Sequence, residues 1–220
     1  MEWSWFPVQL SFYVATLATI ITLILGSLAA YLMVTKRFKG KSAMETIFFL
    51  PLVLPPTVIG FFLVIAFGIH SPVGEFIRVL TGESVLFTST AAVLAAVVVA
   101  FPLMYQSIKT GYLSVDHQIM EAGRVDGASE GWLWVFILMP LSARSIVTGV
   151  VLSFTRAFGE FGATLMVAGN IPGSTQTIPT AIYLALESGQ MKVAWYYVGI
   201  SIGFSFLLLL IINLMRVKNY

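Results

Sequence analysis

Ionisable side chains are scarce in this chain, so the few that fall in apolar surroundings are the first candidates for chemistry. Arg156 and Glu160 stand in the run Ser145–Ala168, which is otherwise uncharged. Their four-residue spacing puts them on one face of a helix, where opposite charges can pair. A charge at the centre of a membrane helix costs about 2.5–3.5 kcal/mol on insertion scales, and pairing offsets part of that cost. Two roles suit such a pair. Arg156 could offer a passing anion a transient partner while Glu160 keeps the site from holding it too tightly. Alternatively the two form a permanent bridge between packed helices, with Gly159 and Gly162 permitting close approach. The permanent bridge is the favoured role. Ser153, Thr155 and Thr164 could also meet an anion, but hydroxyls in membrane helices more often bond a backbone carbonyl.

Covalent and metal chemistry find no constellation in the sequence. There is no cysteine, and the two histidines, His70 and His117, are far apart and expected on opposite faces. Neither an H-E-x-x-H pair of ligands nor a G-x-S-x-G nucleophile elbow occurs. Gly40-Lys41-Ser42 resembles the end of a P-loop, but Thr35 occupies the position where G-x-x-x-x-G-K-[ST] requires its leading glycine. The chain is therefore expected to hold no metal, no cofactor and no ATP of its own.

The elements that position these residues follow from composition. Of 220 residues, 58% are hydrophobic and 10% charged, and the mean hydropathy is +0.93. Ordinary soluble domains are about a quarter charged, so the main solvent here is lipid and the chain reads as one membrane domain, residues 1–220. The net charge of +2 gives no footprint for nucleic acid. Five apolar runs are long enough to cross a bilayer: Gln9–Val34, Ile47–Ile69, Val85–Ile108, Ser145–Ala168 and Val193–Met215. A sixth, Ile178–Leu186, is too short and is expected to be a partial or re-entrant helix packed inside protein. A sixth full crossing would require redrawing one loop. Pro51, Pro55 and Pro56 should break the second run, lining a pathway or serving structure alone.

Charge sets the orientation. Glu2 is the only charge before the first run, whereas Lys36, Arg37, Lys39 and Lys41 follow it. The positive-inside rule then places the N-terminus outside and the C-terminus, with Arg216 and Lys218, in the cytoplasm. Trp3, Trp5 and Phe6 suit an outer aromatic belt. His70–Ser84 and Gly169–Gln176 read as external loops, the second able to turn the chain or touch a delivering protein. The stretch from Lys109 to Trp132, with Asp116, His117, Glu121, Arg124, Asp126 and Glu130, falls on the cytoplasmic face.

Within that face the spacing Glu121-Ala122-Gly123-x3-Gly127-x9-Ile137-Leu138-Met139-Pro140 stands out. Its small residues Ala122, Gly123, Gly127 and Ala128 would let a short helix press its backbone against another protein; a solvated amphipathic loop is the plainer alternative. The pattern resembles the EAA loop, E-A-A-x3-G-x9-I-x-L-P, of ABC importer permeases. Gly123 replaces the second alanine and Met139 the leucine. The resemblance implies that Glu121, Ala122, Gly123, Gly127 and Pro140, in a coupling loop spanning 109–140, dock a cytoplasmic ATPase. It implies the all-α fold of a type I, MetI-like ABC importer transmembrane domain, with five full spans plus a short membrane helix.

Two further segments, Phe49–Gly60 with its three prolines and Arg156–Thr164 followed by Ala168–Gly173, resemble the molybdate permeases of that family. Sulfate permeases share part of the R-A-x-G-E-x-G signature, so oxyanion import, of molybdate or tungstate first and sulfate or thiosulfate second, is what the resemblance implies. It also implies a homodimer with its path between two copies, two ABC ATPase chains that bind ATP-Mg, and an extracytoplasmic oxyanion-binding protein. An ATP-independent channel or secondary carrier would explain the spans and the buried pair, but it gives the Glu121–Pro140 spacing no role.

Overall fold

The computed structural model describes residues 3–217, all-helical with no strand among the described residues. Glu2 and Lys218, both used in assigning orientation, lie outside the described residues. The first apolar run forms α1 (Phe6–Thr35), with Pro7 in its first turn, where a missing N–H is tolerated. A basic link leads to α2 (Lys41–Val53) and α3 (Pro56–Phe67), then α4 (Pro72–Thr81), α5 (Ser89–Leu113) and α6 (His117–Val125). The segment Glu130–Leu141 comprises α7 (Glu130–Leu133), a π-helical stretch Trp134–Leu138 and α8 (Met139–Leu141). It is followed by α9 (Ala143–Phe158), α10 (Gly162–Ala168), α11 (Ile178–Glu187) and α12 (Met191–Val217).

Three helices, α1, α5 and the described part of α12, are individually long and apolar enough to cross a membrane. The number rises to five if two bent pairs, α2 with α3 and Glu130–Leu141 with α9, are each counted as one span. Two of the five expected crossings are thus broken, the second as its prolines lead one to expect and the fourth unexpectedly. In the second run the chain turns by 114° between α2 and α3. Leu54 and Pro55 each precede a proline, which pushes a residue out of the α region, and both are extended with ψ of 143° and 138°. Pro51, expected to contribute to the break, is absorbed inside α2. The fourth run is interrupted at Gly159–Phe161, and α9 meets the segment before it at 77°.

The core is a bundle of α1, α5 and α9. With lipid as apolar as the protein interior, helices associate through close van der Waals packing, which small residues permit. Ala91, Ala92, Ala95, Ala96 and Ala100 of α5 and Ala15, Ala18 and Ala30 of α1 are fully buried. Met104 of α5 is wedged between two glycines: a Cβ on Gly26 would sit 3.0 Å from its Cγ, and one on Gly149 would sit 3.1 Å from its sulfur. Large apolar side chains such as Ile24, Phe61, Phe62, Ile65, Trp195 and Phe206 face outward. At one end of the bundle Trp3 packs on Trp5, Tyr196 and Tyr197, an aromatic cluster of the kind found at membrane interfaces.

The expected loop His70–Ser84 contains α4, capped by Ser71, whose Oγ accepts from the Gly74 N–H at 2.8 Å, and ended by left-handed Gly82. The third run starts later and ends later than expected, so Lys109 lies inside α5 rather than opening the polar stretch. The short run is the ten-residue α11, with a Thr177–Thr180 capping box, and its Ile178 N–H donates to buried Ser11 of α1 at 2.8 Å. The turn before it is internally bonded: Gln176 donates to Asn170 and Asn170 to the Thr180 carbonyl.

Candidate functional site

Helix α6 carries the first part of the Glu121–Pro140 spacing. Asp116 caps it by accepting from the Gln118 N–H at 2.9 Å. It ends in a Schellman motif: the Ala128 N–H reaches back to the Gly123 carbonyl at 3.0 Å and the Gly127 N–H to the Arg124 carbonyl at 3.1 Å. Gly127 is left-handed, with φ +85°, which explains the glycine from backbone geometry alone. Gly123 has a different reason, because a Cβ there would come within 2.5 Å of Leu133 Cδ2 and 3.4 Å of Ile137 Cδ1. The two halves of the motif therefore meet where Leu133 and Ile137 cover Gly123. Close approach at Gly123 serves this internal contact, while Glu121 and Ala122 face solvent.

An electrostatic clamp fixes α6 to the bundle. Arg124 Nε donates to Glu130 Oε1 at 2.6 Å and its NH2 to Glu130 Oε2 at 3.3 Å, and the Glu130 carboxylate raises the guanidinium's already high pKa. The Tyr31 hydroxyl of α1 donates to Glu130 Oε2 at 3.1 Å. Tyr31 stacks on Trp134, whose indole N–H donates to the Tyr112 hydroxyl of α5 at 2.9 Å. Through Arg124, Glu130, Tyr31, Trp134 and Tyr112, one chain of contacts runs from α6 to both long central helices.

Pro140 lies beyond the π-helical stretch, in α8, and is exposed. A proline inside an α-helix has no N–H to give and crowds the carbonyl four residues back; here the preceding helix is widened, with the Met139 N–H bonded to the Trp134 carbonyl. The chain then turns by 77° into α9.

At the far end of α9, Arg156 NH1 donates to Glu160 Oε2 at 2.6 Å, while Glu160 Oε1 accepts from the Ala163 N–H at 2.9 Å. Glu160 has left the helix. Its carboxylate is 2% exposed and satisfies the start of α10, where negative charge is favoured, whereas the Arg156 side chain is 30% exposed. Immediately beyond the two chain breaks, α3 and α10 pack together: a Cβ on Gly162 would lie 2.9 Å from Pro56 Cβ, and one on Gly60 would lie 2.8 Å from Met166 Cβ. Ser153 and Thr155 bond backbone carbonyls of Ala100 and Val151.

Glu121, Ala122, Gly123 and Gly127 are thus brought together on α6, Pro140 sits past the π-helical turn, and Arg156 with Glu160 form a separate pair at the far end of α9. Several residues were not singled out by the sequence. Ile119 and Val125 are exposed apolar positions on α6, 43% and 87% accessible, and with Ala122 they recur at i, i+3, i+6. That recurrence was present in the sequence as a signal. The Tyr31–Glu130 bond, across 99 residues, had none. Glu45 of α2 forms a further ion pair with Lys109 of α5 and accepts from the Tyr105 hydroxyl at 2.9 Å.

The chain is similar to proteins already named. YvgM of Bacillus subtilis (strain 168), named for a molybdenum transport system permease, is 54% identical over 94% of this chain and 91% of its own length. The molybdenum transport system permease protein ModB of Escherichia coli (strain K12) is 39% identical over 84% of this chain and 80% of its own. A sulfate transport system permease protein, cysT of Chlorokybus atmophyticus, is 33% identical over 97% and 76%. Among solved structures, a bacterial alginate ABC transporter in complex with its alginate-bound periplasmic protein matches with a TM-score of 0.76 at 17% identity, covering 100% of this chain and 81% of the other. The inward-facing methionine ABC transporter MetNI matches with a TM-score of 0.65 at 16% identity, over 96% and 91%. The family model for binding-protein-dependent transport system inner membrane components matches residues 7–217, and the chain belongs to that family of multi-pass membrane permeases.

Proposed function

We propose that this chain is the permease subunit of a binding-protein-dependent ABC importer that carries molybdate into the cytoplasm. The relatives named for molybdenum transport support the substrate. The observation that carries the mechanism is α6: a capped helix with an exposed Ile119–Ala122–Val125 face, anchored through Arg124 and Glu130 to α1. Tungstate, nearly the same size and charge as molybdate, should pass equally.

In this reading two copies form a homodimer with the ion path between them, the N-termini outside and the C-termini in the cytoplasm. Each copy contributes five crossings, two of them bent, plus α11 as a short membrane helix. Glu121, Ala122 and the neighbouring apolar face of α6 seat in a groove of a cytoplasmic ATPase chain, while Gly123 and Gly127 give α6 its shape and Pro140 its onward turn. ATP binding draws the ATPase pair together, displaces α6, and through Glu130, Tyr31 and Trp134 tilts α1 and α5; hydrolysis resets them. The outer halves α3 and α10, locked together through Gly60 and Gly162, move as a unit about the breaks at Leu54–Pro55 and Gly159–Phe161. Arg156 and Glu160 hold the second break, as a structural bridge rather than an ion-binding pair. Affinity for the oxyanion resides in the extracytoplasmic binding protein, since a path must release what it admits.

The test is ATP hydrolysis and molybdate uptake by the complex in liposomes with its binding protein. Ala122→Asp, a charge placed in the exposed apolar face of α6, should abolish stimulation by loaded binding protein. Uptake that follows only the ion gradient, with no ATPase chain copurifying, would remove the proposal. A better response to sulfate than to molybdate would transfer the substrate to the class named for the 33% identical relative.

A further inference from the structure

We propose that the recess behind α6 is a binding site for a phosphate-type tetrahedral oxyanion group, carried either by an inner-leaflet phospholipid headgroup or free in the cytoplasm. The recess encloses about 460 Å3 between the end of α1, the link to α2, the end of α5 and the inner side of α6. Arg37, Lys41, His117 and Arg124 line it over an apolar floor that includes Val34 and Leu138, and no carboxylate is among its lining residues.

The charges in this wall differ in availability. Arg124 is held by Glu130, and His117 Nδ1 lies 3.1 Å from Glu121 Oε1, so both are already partnered. Among the described residues, neither Arg37 nor Lys41 has a carboxylate within salt-bridge distance, and Lys41 Nζ reaches only the Lys36 carbonyl, at 3.5 Å. Left-handed Gly40, φ +88°, turns the link so that Arg37 and Lys41 border one cavity. Guanidinium and ammonium groups flanking a concave, partly apolar space match a phosphate oxygen cluster with an organic or aqueous remainder, as in basic pockets that receive lipid headgroups at the cytoplasmic face. General positive-inside charge does not require this convergence: Lys36 and Lys39 of the same link lie outside the recess lining.

The test uses the importer complex in nanodiscs and reads the thermal unfolding midpoint by tryptophan fluorescence, with no ATP present. Discs of phosphatidylcholine alone are compared with discs containing phosphatidylglycerol, and phosphatidylcholine discs are titrated with inorganic phosphate against potassium chloride of equal ionic strength. A rise with phosphatidylglycerol alone identifies the lipid headgroup, and a rise with phosphate in phosphatidylcholine identifies the free anion. In the responding arm Arg37→Gln with Lys41→Gln should raise the half-saturating concentration roughly tenfold or more, whereas Lys36→Gln with Lys39→Gln should leave it unchanged. No rise in either arm, or equal losses in both double variants, overturns the site. Because the readout needs neither hydrolysis nor uptake, such a failure would leave the importer proposal standing, and failed uptake would leave the site standing.

Discussion

Glu160→Ala removes two bonds from one buried carboxylate, the 2.6 Å contact with Arg156 and the 2.9 Å contact with the Ala163 N–H. A hydrogen bond to a charged group contributes about 1.5–3 kcal/mol, and breaking a fully buried ion pair costs about 3–5 kcal/mol. These overlap, since one carboxylate makes both contacts. Arg156 also keeps 30% of its side chain exposed, so water recovers part of the lost pairing and the expected destabilisation is about 3 kcal/mol. Glu160→Gln retains an acceptor for Ala163 and should cost less, about 1–2 kcal/mol. In a double-mutant cycle with Arg156→Gln the two changes should couple by about 1–2 kcal/mol. Unfolding in mixed micelles, followed by tryptophan fluorescence, gives all four corners. A Glu160→Ala variant within about 0.5 kcal/mol of the parent, the range of an inconsequential surface change, or strictly additive single variants, would refute the capping-bridge role. The Arg156→Gln/Glu160→Gln variant should still take up molybdate near the parental rate; loss of uptake at parental stability would put the pair in the ion path.

Helix α6 and its anchor on α1 yield three further expectations. Gly127→Ala meets no atom within 4 Å but forces a left-handed φ on a side chain, so it should cost about 1 kcal/mol, with Gly127→Asn milder; unfolding midpoints check the order. Gly123→Val drives a Cβ to 2.5 Å from Leu133 Cδ2 and should destabilise by about 1–3 kcal/mol, lowering the yield of ATPase chain that copurifies with the permease. Tyr31→Phe loses one hydrogen bond to Glu130, about 0.5–1.5 kcal/mol, and should lower molybdate moved per ATP hydrolysed more than it lowers basal hydrolysis; equal losses in both would detach Tyr31 from coupling.

The sequence made the solvent, the long helices α1, α5 and α12, and the position of α6 legible, because composition, apolar run length and the Glu121–Pro140 spacing are local or periodic signals. The break in the second run was legible too, from Pro55 and Pro56. The fourth run reads as continuous because its apolar length suits one crossing, and the four-residue spacing of Arg156 and Glu160 is compatible with an unbroken helix. The pair does form, yet Glu160 is just past the helix end, where it also serves α10. The small residues of α6 suggested contact with another protein. Gly123 is instead filled by Leu133, and Gly127 answers to the Schellman turn. Helix α4 was hidden among loop residues, although Ser71-Pro72 is a helix start and Gly82 a helix stop. The Tyr31–Glu130 and Glu45–Lys109 contacts depend on how distant helices pack, which no local pattern encodes.

The most direct measurement is molybdate uptake by proteoliposomes holding the permease with its copurified ATPase chain, with loaded binding protein outside and ATP enclosed. Uptake should require ATP, continue against a molybdate gradient and vanish in Ala122→Asp, which puts a charge in the middle of the exposed Ile119–Val125 face. Uptake that proceeds without ATP, or stops when the concentrations equalise, would contradict ATP-driven import by this chain.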